Sequence, residues 1–108
     1  MPRGDVFRFR LPKRTEHEQH GNQFGVVVQD NEFLPRPVVL VAPTSRSARP
    51  ATFRPEIEVG GEQTTVLVEQ LEAVATSRLG EIASHLTPEE LWAIDEAILT
   101  VLGLRQTH

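Results

Sequence analysis

Short valine-rich runs, separated by turn-forming residues, fill the first part of this chain. The clearest are F-G-V-V-V-Q at 24–29, V-V-L-V-A at 38–42 and T-T-V-L-V at 64–68, the last continuing towards residue 74. These runs have the length of β-strands and are too short for independent helices. Pro12, Pro43 and the pair Gly60-Gly61 mark strand ends, because proline cannot donate a ladder hydrogen bond and paired glycines favour tight turns. The pattern predicts a small, strongly bent sheet.

Three further segments have weaker strand patterns. Residues 3–11 nearly alternate polar and apolar side chains, residues 53–59 fit an edge strand that tolerates Pro55, and residues 81–86 fit a short last strand. Pro43 predicts that the pairing of strand 38–42 stops near Thr44.

Residues 13–22 are wholly polar and predict a long loop, a type of segment that is often functional in compact domains.

The end of the chain carries the signature of a helix. Thr87 suits the N-cap, Pro88 suits the first turn, and Glu90 completes a capping box with Thr87. Gly103 suits the position just after the helix. Apolar residues recur at helical spacing in between: Leu91, Ile94, Ile98, Val101 and Leu102. We expect a helix over 88–102 that packs on the sheet, with Trp92 in the core, as we also expect for Phe24. Strands followed by one helix predict a mainly β (α+β) fold of five to seven strands.

Composition limits the class of protein. The 108 residues predict one domain, residues 1–108. There is no cysteine, which excludes disulfides and thiolate metal sites. No apolar run is long enough to span a bilayer, and residues 1–10 lack the apolar core of a signal peptide. We therefore expect a cytoplasmic protein with no membrane partner.

Charge is divided unevenly along the chain. Residues 1–54 carry nine basic and five acidic side chains, whereas residues 55–108 carry two basic and ten acidic ones. The net charge of −4 alone argues against nucleic-acid binding, but a basic N-terminal half favours an anionic partner on one face. Charge scattered on a solvated surface explains the same numbers equally well.

Several segments, in this order, resemble the MazF/PemK family of toxins. They are R-G-D-V-F at 3–7, H-E-Q-H-G at 17–21, V-L-V-A-P-T-S at 39–45, V-L-V-E-Q-L at 66–71 and L-T-P-E-E-L-W-A-I-D-E-A-I at 86–98. The resemblance implies an SH3-like small barrel with a C-terminal helix, related to CcdB and usually a homodimer. It also implies the toxin of a type II toxin–antitoxin system that cleaves single-stranded RNA sequence-selectively, without metal or cofactor. The implied protein partner is an antitoxin whose acidic segment covers the RNA groove.

The resemblance also implies site residues. The family's catalytic threonine falls on Thr44, and its catalytic arginine falls on Gln23. Arg46 and His20 are candidates to supply the missing charge or proton transfer. Residues implied to contact RNA are Lys13, Arg14, Glu18, Gln19, Ser45 and Arg49. A structural role is the alternative: Thr44 also suits the end of a strand, and the basic side chains also fit solvated loop charges.

Gln23 is a departure that bears on activity. A guanidinium stabilises the extra negative charge of a phosphorane with its own charge and two N–H donors, whereas an amide brings no charge. Three explanations remain open: a nearby residue substitutes, the toxin is weakened or inactive, or the alignment is shifted by a residue or two.

Two other functions remain open for the same chain. One is a barrel that binds RNA or an antitoxin without cleaving, and the other is a CcdB-like toxin that binds DNA gyrase. The second ranks lower, because the tail after Gly103 lacks the apolar-aromatic ending expected at a protein interface. His17 and His20 lie three residues apart, but two histidines without further ligands do not make a metal site.

Overall fold

The structure, a computed structural model, describes residues 2–10, 24–33 and 37–104. The elements are β1 (Asp5–Phe9), β2 (Phe24–Val27), β3 (Val38–Ser45), β4 (Glu56–Val59), β5 (Glu62–Val66), β6 (Glu72–Ala75), β7 (Leu79–His85) and α1 (Pro88–Val101). Short 3-10 turns lie at Asn31–Phe33, Val68–Gln70 and Thr76–Arg78. Within these described ranges, no helix is long and apolar enough to cross a membrane.

The seven strands form one antiparallel sheet in which six have the order β4-β5-β3-β2-β1-β7, and the seventh, β6, pairs with β3 off this path. One edge of β3 pairs with β2, while its other edge pairs first with β6 over Val38–Val41 and then with β5 at Thr44 and Ser45. The outermost strands, β4 and β7, are not paired with each other in the described part of the chain. The result is a half-open barrel with a C-terminal helix, which confirms the predicted fold class.

Strand β3 is longer than its sequence predicted. The run was predicted over 38–42, whereas β3 continues through Pro43 to Ser45; pairing ends near Thr44, as predicted, with Thr44 opposite Val66 and Ser45 opposite Thr65. Pro43 is tolerated because its carbonyl serves as an acceptor, receiving the N–H of Leu67 at 2.8 Å. The missing N–H of Pro43 costs little where β3 changes partner from β6 to β5.

The other strand boundaries follow the sequence less closely. Strand β4 is an edge strand as predicted, but it begins only after Pro55. The run predicted as one strand from residue 64 towards 74 is divided into β5, a 3-10 turn and β6. The segment 81–86, which had a weak strand pattern, does form a strand, β7, which begins earlier than predicted, at Leu79.

Gly60 and Gly61 form the two-residue turn between β4 and β5. Their φ angles are +61° and +84°, both in the left-handed region. A turn with positive φ at both central positions matches the right-handed twist of the flanking strands and holds Val59 opposite Glu62.

The core has two parts, one on each face of the sheet. The larger part joins strand residues such as Val26 and Val66 to Ile94 and Ala97 of α1. The smaller part gathers a separate set of aliphatic side chains: Val27, Val39, Val41, Val74 and Leu79. Phe24 is buried in the larger part, as predicted.

The prediction for Trp92 was wrong, because its side chain is 65% exposed. Ile94 and Ile98 define the inward stripe of α1. A residue two positions before Ile94 is rotated by about 200° around the helix axis, so Trp92 lies on the outer side.

The ends of α1 are as predicted. The side-chain oxygen of Thr87 accepts from the N–H of Glu90, and the Glu90 carboxylate accepts from the N–H of Thr87. At the other end Gly103 has a φ of +72°, and the N–H of Leu104 reaches the carbonyl of Leu99 at 2.9 Å. Both ends therefore close with hydrogen bonds that satisfy otherwise unpaired backbone groups.

Candidate functional site

A groove lies between the two ends of the sheet, at the open side of the half-barrel. Its cavity has a volume of about 580 Å³. Residues from β1, β2, β4, β5, β7, the β4–β5 turn and the position after β3 line it: Arg8, Phe24, Arg46, Val59, Gly60, Glu62, Glu81, Ile82 and Ala83. The groove lies where, among the described strands, β4 and β7 are left unpaired with each other.

Thr44 lies beside this groove but not in its lining. Its side chain is fully buried, and its hydroxyl accepts from the backbone N–H of Phe24 at 3.3 Å. Phe24 follows Gln23 directly in the sequence. The hydroxyl of Thr44 therefore fixes the point at which β2 begins, next to the position that the resemblance assigns to the catalytic arginine.

Ser45 and Arg46 follow Thr44 at the end of β3. The buried Ser45 hydroxyl accepts from the N–H of Ser47 at 3.2 Å, a local contact that turns the chain away from the sheet. Arg46 reaches into the groove and forms an ion pair with Glu62, with 2.5 Å between guanidinium and carboxylate. Both side chains are exposed, at 49% and 67%, so this pair adds little to stability.

Arg8 is a groove residue that sequence reasoning did not single out. Its guanidinium lies over the ring of Phe24, 5.2 Å from the ring centre. No carboxylate in the described ranges forms an ion pair with it. The alternation of β1 could have indicated Arg8. Val6 is fully buried, and Arg8, two residues later, lies on the same face of the strand.

The groove carries equal numbers of positive and negative side chains. Arg8 and Arg46 are balanced by Glu62 and Glu81. Of the two arginines, Arg46 already has a carboxylate partner, whereas Arg8 is held by an aromatic ring. An entering anion would therefore meet one available guanidinium and would have to compete with Glu62 for the other.

The sequence profile of the PemK-like, MazF-like toxins of type II toxin–antitoxin systems matches residues 2–102. The chain belongs to this family. A Mycobacterium tuberculosis protein named "Putative toxin Rv3098A/RVBD_3098A" is 39% identical over 105 residues, which span 94% of this chain and 97% of that protein.

Two solved structures share the fold of this PemK/MazF-like chain. An endoribonuclease in complex with its cognate antitoxin, from a mycobacterial species, has a TM-score of 0.80 at 20% identity, with 99% of each chain covered. The Mycobacterium tuberculosis toxin MazF-mt6 has a TM-score of 0.77 at 16% identity, covering 94% of this chain and 99% of its own.

Only some of the predicted site residues of this PemK/MazF-like toxin lie in the described ranges. Thr44, Ser45 and Arg46 lie together at the end of β3. Arg49 is exposed and not part of the groove lining. The remaining predicted residues are in a segment outside the described residues: Lys13, Arg14, Glu18, Gln19, His20 and Gln23.

The loop that contains Arg49 is fixed by a neighbouring ion pair. Arg54 donates to the carbonyl of Arg49 at 3.0 Å and to the carboxylate of Glu69 at 2.6 Å. Burial raises the pKa of Glu69. The hydrogen bond from Arg54, a backbone hydrogen bond and the Arg54 charge together lower it by more, so the pKa lies below its usual value. This pair holds the segment after β3 against the turn before β6.

The family-like opening R-G-D has a structural role in this toxin. Arg3 donates to the carbonyl of Val28 at 2.7 Å and pairs with Asp95 of α1 at 2.6 Å. Gly4 has a φ of +95°, where a side chain would be strained. The Asp5 carboxylate is buried and lies 2.6 Å from a ring nitrogen of His85. These residues fasten β1 to β7 and α1, away from the groove lining.

Proposed function

We propose that this toxin is an endoribonuclease that binds single-stranded RNA in the groove between β4 and β7 and cleaves it without a metal ion. The supporting observation is that the end of β3 delivers Arg46 into a groove that Arg8 also lines, beside the Thr44–Phe24 contact. Cationic side chains at a concave surface attract a phosphodiester chain. The structural neighbour is an endoribonuclease, which fits the same proposal.

The proposed reaction is an internal transesterification. The ribose 2′-oxygen loses its proton and attacks the adjacent phosphorus, while the bond to the 5′-oxygen breaks and that oxygen gains a proton. The products are a cyclic phosphate and a 5′-hydroxyl. A guanidinium of Arg46 would stabilise the charge that builds on the phosphorane oxygens, and Thr44 would position the start of β2 and therefore Gln23. His20 is proposed to take part in proton transfer.

We propose that the activity is attenuated. Gln23 offers a hydrogen bond where a guanidinium would add charge, and loss of such a donor commonly costs about 10²–10³ in rate. Arg46 is a partial substitute, since Glu62 competes with the phosphate for its guanidinium. The basic and polar residues of the preceding segment, Lys13, Arg14, Glu18 and Gln19, together with Ser45 and Arg49, are proposed to hold the RNA on either side of the scissile bond.

The proposed protein partner is an acidic antitoxin segment that occupies the same groove, in keeping with the cognate antitoxin present in the structural neighbour. The proposed assembly is a homodimer. Val38 and Leu40 on β3 are 47% and 40% exposed, and a second copy would cover such aliphatic side chains. An RNA substrate places the proposed activity in the cytoplasm.

The proposal is tested by incubating the purified protein with mixed-sequence RNA in EDTA. We expect cuts at a restricted set of sequences, and we expect Arg46→Ala to reduce the rate at least tenfold. Arg78→Ala is the control, because Arg78 is an exposed arginine of the 3-10 turn before β7, outside the groove lining and without a proposed role in RNA binding. Equal rates in both variants would contradict the role of Arg46.

A non-cleaving barrel is the second candidate, and the neutral charge of the groove favours it. Two arginines facing two glutamates provide a weak phosphate-binding surface. Salt-sensitive RNA or antitoxin binding with no cuts in EDTA, and none after Mg²⁺ is added, would support this candidate instead.

A further inference from the structure

We infer that Arg8 and Glu81 form a guanine-selective base site at the β1–β7 side of the groove. This inference rests on the proposed RNA substrate and adds to it the base that one part of the groove accepts. Three observations carry it: a bulge that brings the two residues together, the contact of Arg8 with the ring of Phe24, and a Glu81 carboxylate without a partner among the described residues.

The bulge lies where β1 pairs with β7. Phe7 pairs with Ile82 and Phe9 pairs with Leu79, so the single residue Arg8 faces both Gly80 and Glu81. A β-bulge of this kind redirects a side chain and is common beside functional sites. Both Arg8 and Glu81 line the same groove.

Gly80 makes this bulge possible. A Cβ atom at Gly80 would lie 3.2 Å from the carbonyl oxygen of Arg8 and 3.4 Å from the Arg10 side chain. This close approach of the two strands sets Glu81 next to Arg8 rather than one residue further along β7.

Arg8 offers a flat surface for a base. Phe24 is buried, and the central carbon of the Arg8 guanidinium lies over its ring, so the aromatic ring itself is not available to a ligand. A base would stack on the side of the guanidinium away from Phe24, since arginine planes commonly stack on RNA bases. Ring contact on one side also limits the rotation of Arg8, which lowers the entropy cost of binding.

Glu81 selects the base. Its exposed carboxylate has no ion pair or hydrogen bond with any residue in the described ranges, Arg8 included. A carboxylate only accepts, and its two oxygens match two adjacent donors. Guanine presents its N1–H and its 2-amino group side by side. Adenine and cytosine pair one amino donor with a neighbouring acceptor, and uracil presents one N–H between two carbonyl oxygens, which the carboxylate repels.

The charges separate a base position from a phosphate position. A phosphate beside Arg8 would also meet the negative charge of Glu81, whereas the base of a nucleotide carries no charge. We assign the phosphate to Arg46, at the opposite wall of the groove near Gly60, where it would replace Glu62 as the partner of the guanidinium. The groove therefore has one wall for the backbone and one wall for a base.

The test measures binding of short RNAs in which 2′-O-methyl groups block cleavage. Three uridine oligomers differ at the central base, which is guanine, hypoxanthine or uracil, and fluorescence anisotropy reports each Kd. Hypoxanthine lacks only the 2-amino group. We expect guanine to bind about tenfold more tightly than either of the other two, the size expected when a paired set of base contacts is lost.

Glu81→Gln should reduce the guanine preference to about twofold or less while leaving the uracil oligomer bound as tightly or more tightly. Arg8→Lys keeps the positive charge but loses the planar guanidinium. It should weaken binding of the guanine oligomer more than binding of the other two. Glu72→Gln is the control, since Glu72 is an exposed glutamate on β6 outside the groove. Circular dichroism of each variant checks the fold.

The outcomes separate this inference from the proposed function. RNA that is bound and cut without a guanine preference, or a Glu81→Gln variant that changes all three oligomers equally, overturns the base site and leaves the endoribonuclease standing. If no oligomer binds and no RNA is cut, the RNA substrate itself is wrong and the base site falls with it. Preference for an arginine-containing peptide over every oligomer would assign the pair to a protein ligand and also overturn the inference.

Discussion

The carboxylate of Glu90 in α1 accepts the backbone N–H of Glu58 in β4 at 2.9 Å, while its other oxygen accepts the N–H of Thr87. One side chain therefore closes the start of the helix and holds the edge strand that forms a wall of the groove. Since β4 is paired on only one side, this contact also covers part of an otherwise free edge.

Replacing Glu90 tests this double role. We expect Glu90→Ala to lower the free energy of unfolding by about 1–2 kcal/mol, because two backbone donors lose their acceptor. Urea unfolding monitored by the fluorescence of Trp92 measures this change. Glu89→Ala is the matched control, since it removes an acidic residue from the same first turn without a capping role. A loss in Glu90→Ala no larger than in Glu89→Ala would contradict the prediction.

The ion pair of Arg54 and Glu69 predicts a pH dependence of stability. Because the pKa of Glu69 is lowered in the folded state, its contribution is complete above the usual value of 4.5 and is lost as pH falls through the lower folded value. The wild-type protein should therefore lose more stability than Glu69→Gln between pH 5 and pH 2. Chemical denaturation at several pH values measures the difference, which should stay constant above pH 5. A difference that instead grows with rising pH would reverse the sign and contradict the assignment.

The variant Gln23→Arg tests the explanation for attenuation. If Gln23 occupies the position of the catalytic arginine, the added guanidinium should raise the cleavage rate by about 10²–10³. Gln70→Arg adds the same charge at an exposed turn and should leave the rate within a few-fold of wild type. Rates are measured under single-turnover conditions in EDTA. An unchanged rate in Gln23→Arg would favour substitution by Arg46 or a shifted alignment.

Releasing Arg46 from its carboxylate partner should strengthen RNA binding. We expect Glu62→Gln to lower the Kd for cleavage-blocked RNA several-fold. The slope of log affinity against log salt concentration should become steeper by about one released counterion. Stability should change by less than about 1 kcal/mol, as for other exposed ion pairs. The double variant Glu62→Gln with Arg46→Ala is the control and should lose the gain. A gain that survives removal of Arg46 would show that Glu62 acts only through its general charge.

The sequence was most informative where structure depends on neighbours along the chain. The helix, its capping box and the glycine after it follow from contacts within four or five residues, and all three were predicted. The change of partner along β3 at Pro43 was not, because it depends on β5 and β6, which are distant in sequence. The burial of Trp92 was mispredicted because Trp92 is next to Leu91 of the apolar stripe, and only tertiary packing decides which side of the helix faces the core.

The candidate site shows the same division. Thr44 and Arg46 could be named because they follow a recognisable strand. Arg8 was not named, since an alternating strand shows which residues share a face but not which face borders a groove. The Arg46–Glu62 and Arg54–Glu69 pairs join residues 16 and 15 positions apart through strand pairing, and charge counts do not reveal such partners.

The bond from Arg3 to Asp95 spans 92 positions of the chain. During synthesis, Arg3 cannot pair with Asp95 until α1 has been made and has left the ribosome. Until then, residues 2–10 and the strands that follow them lack the helix that completes their packing. The nascent strands therefore expose the apolar face that α1 later covers.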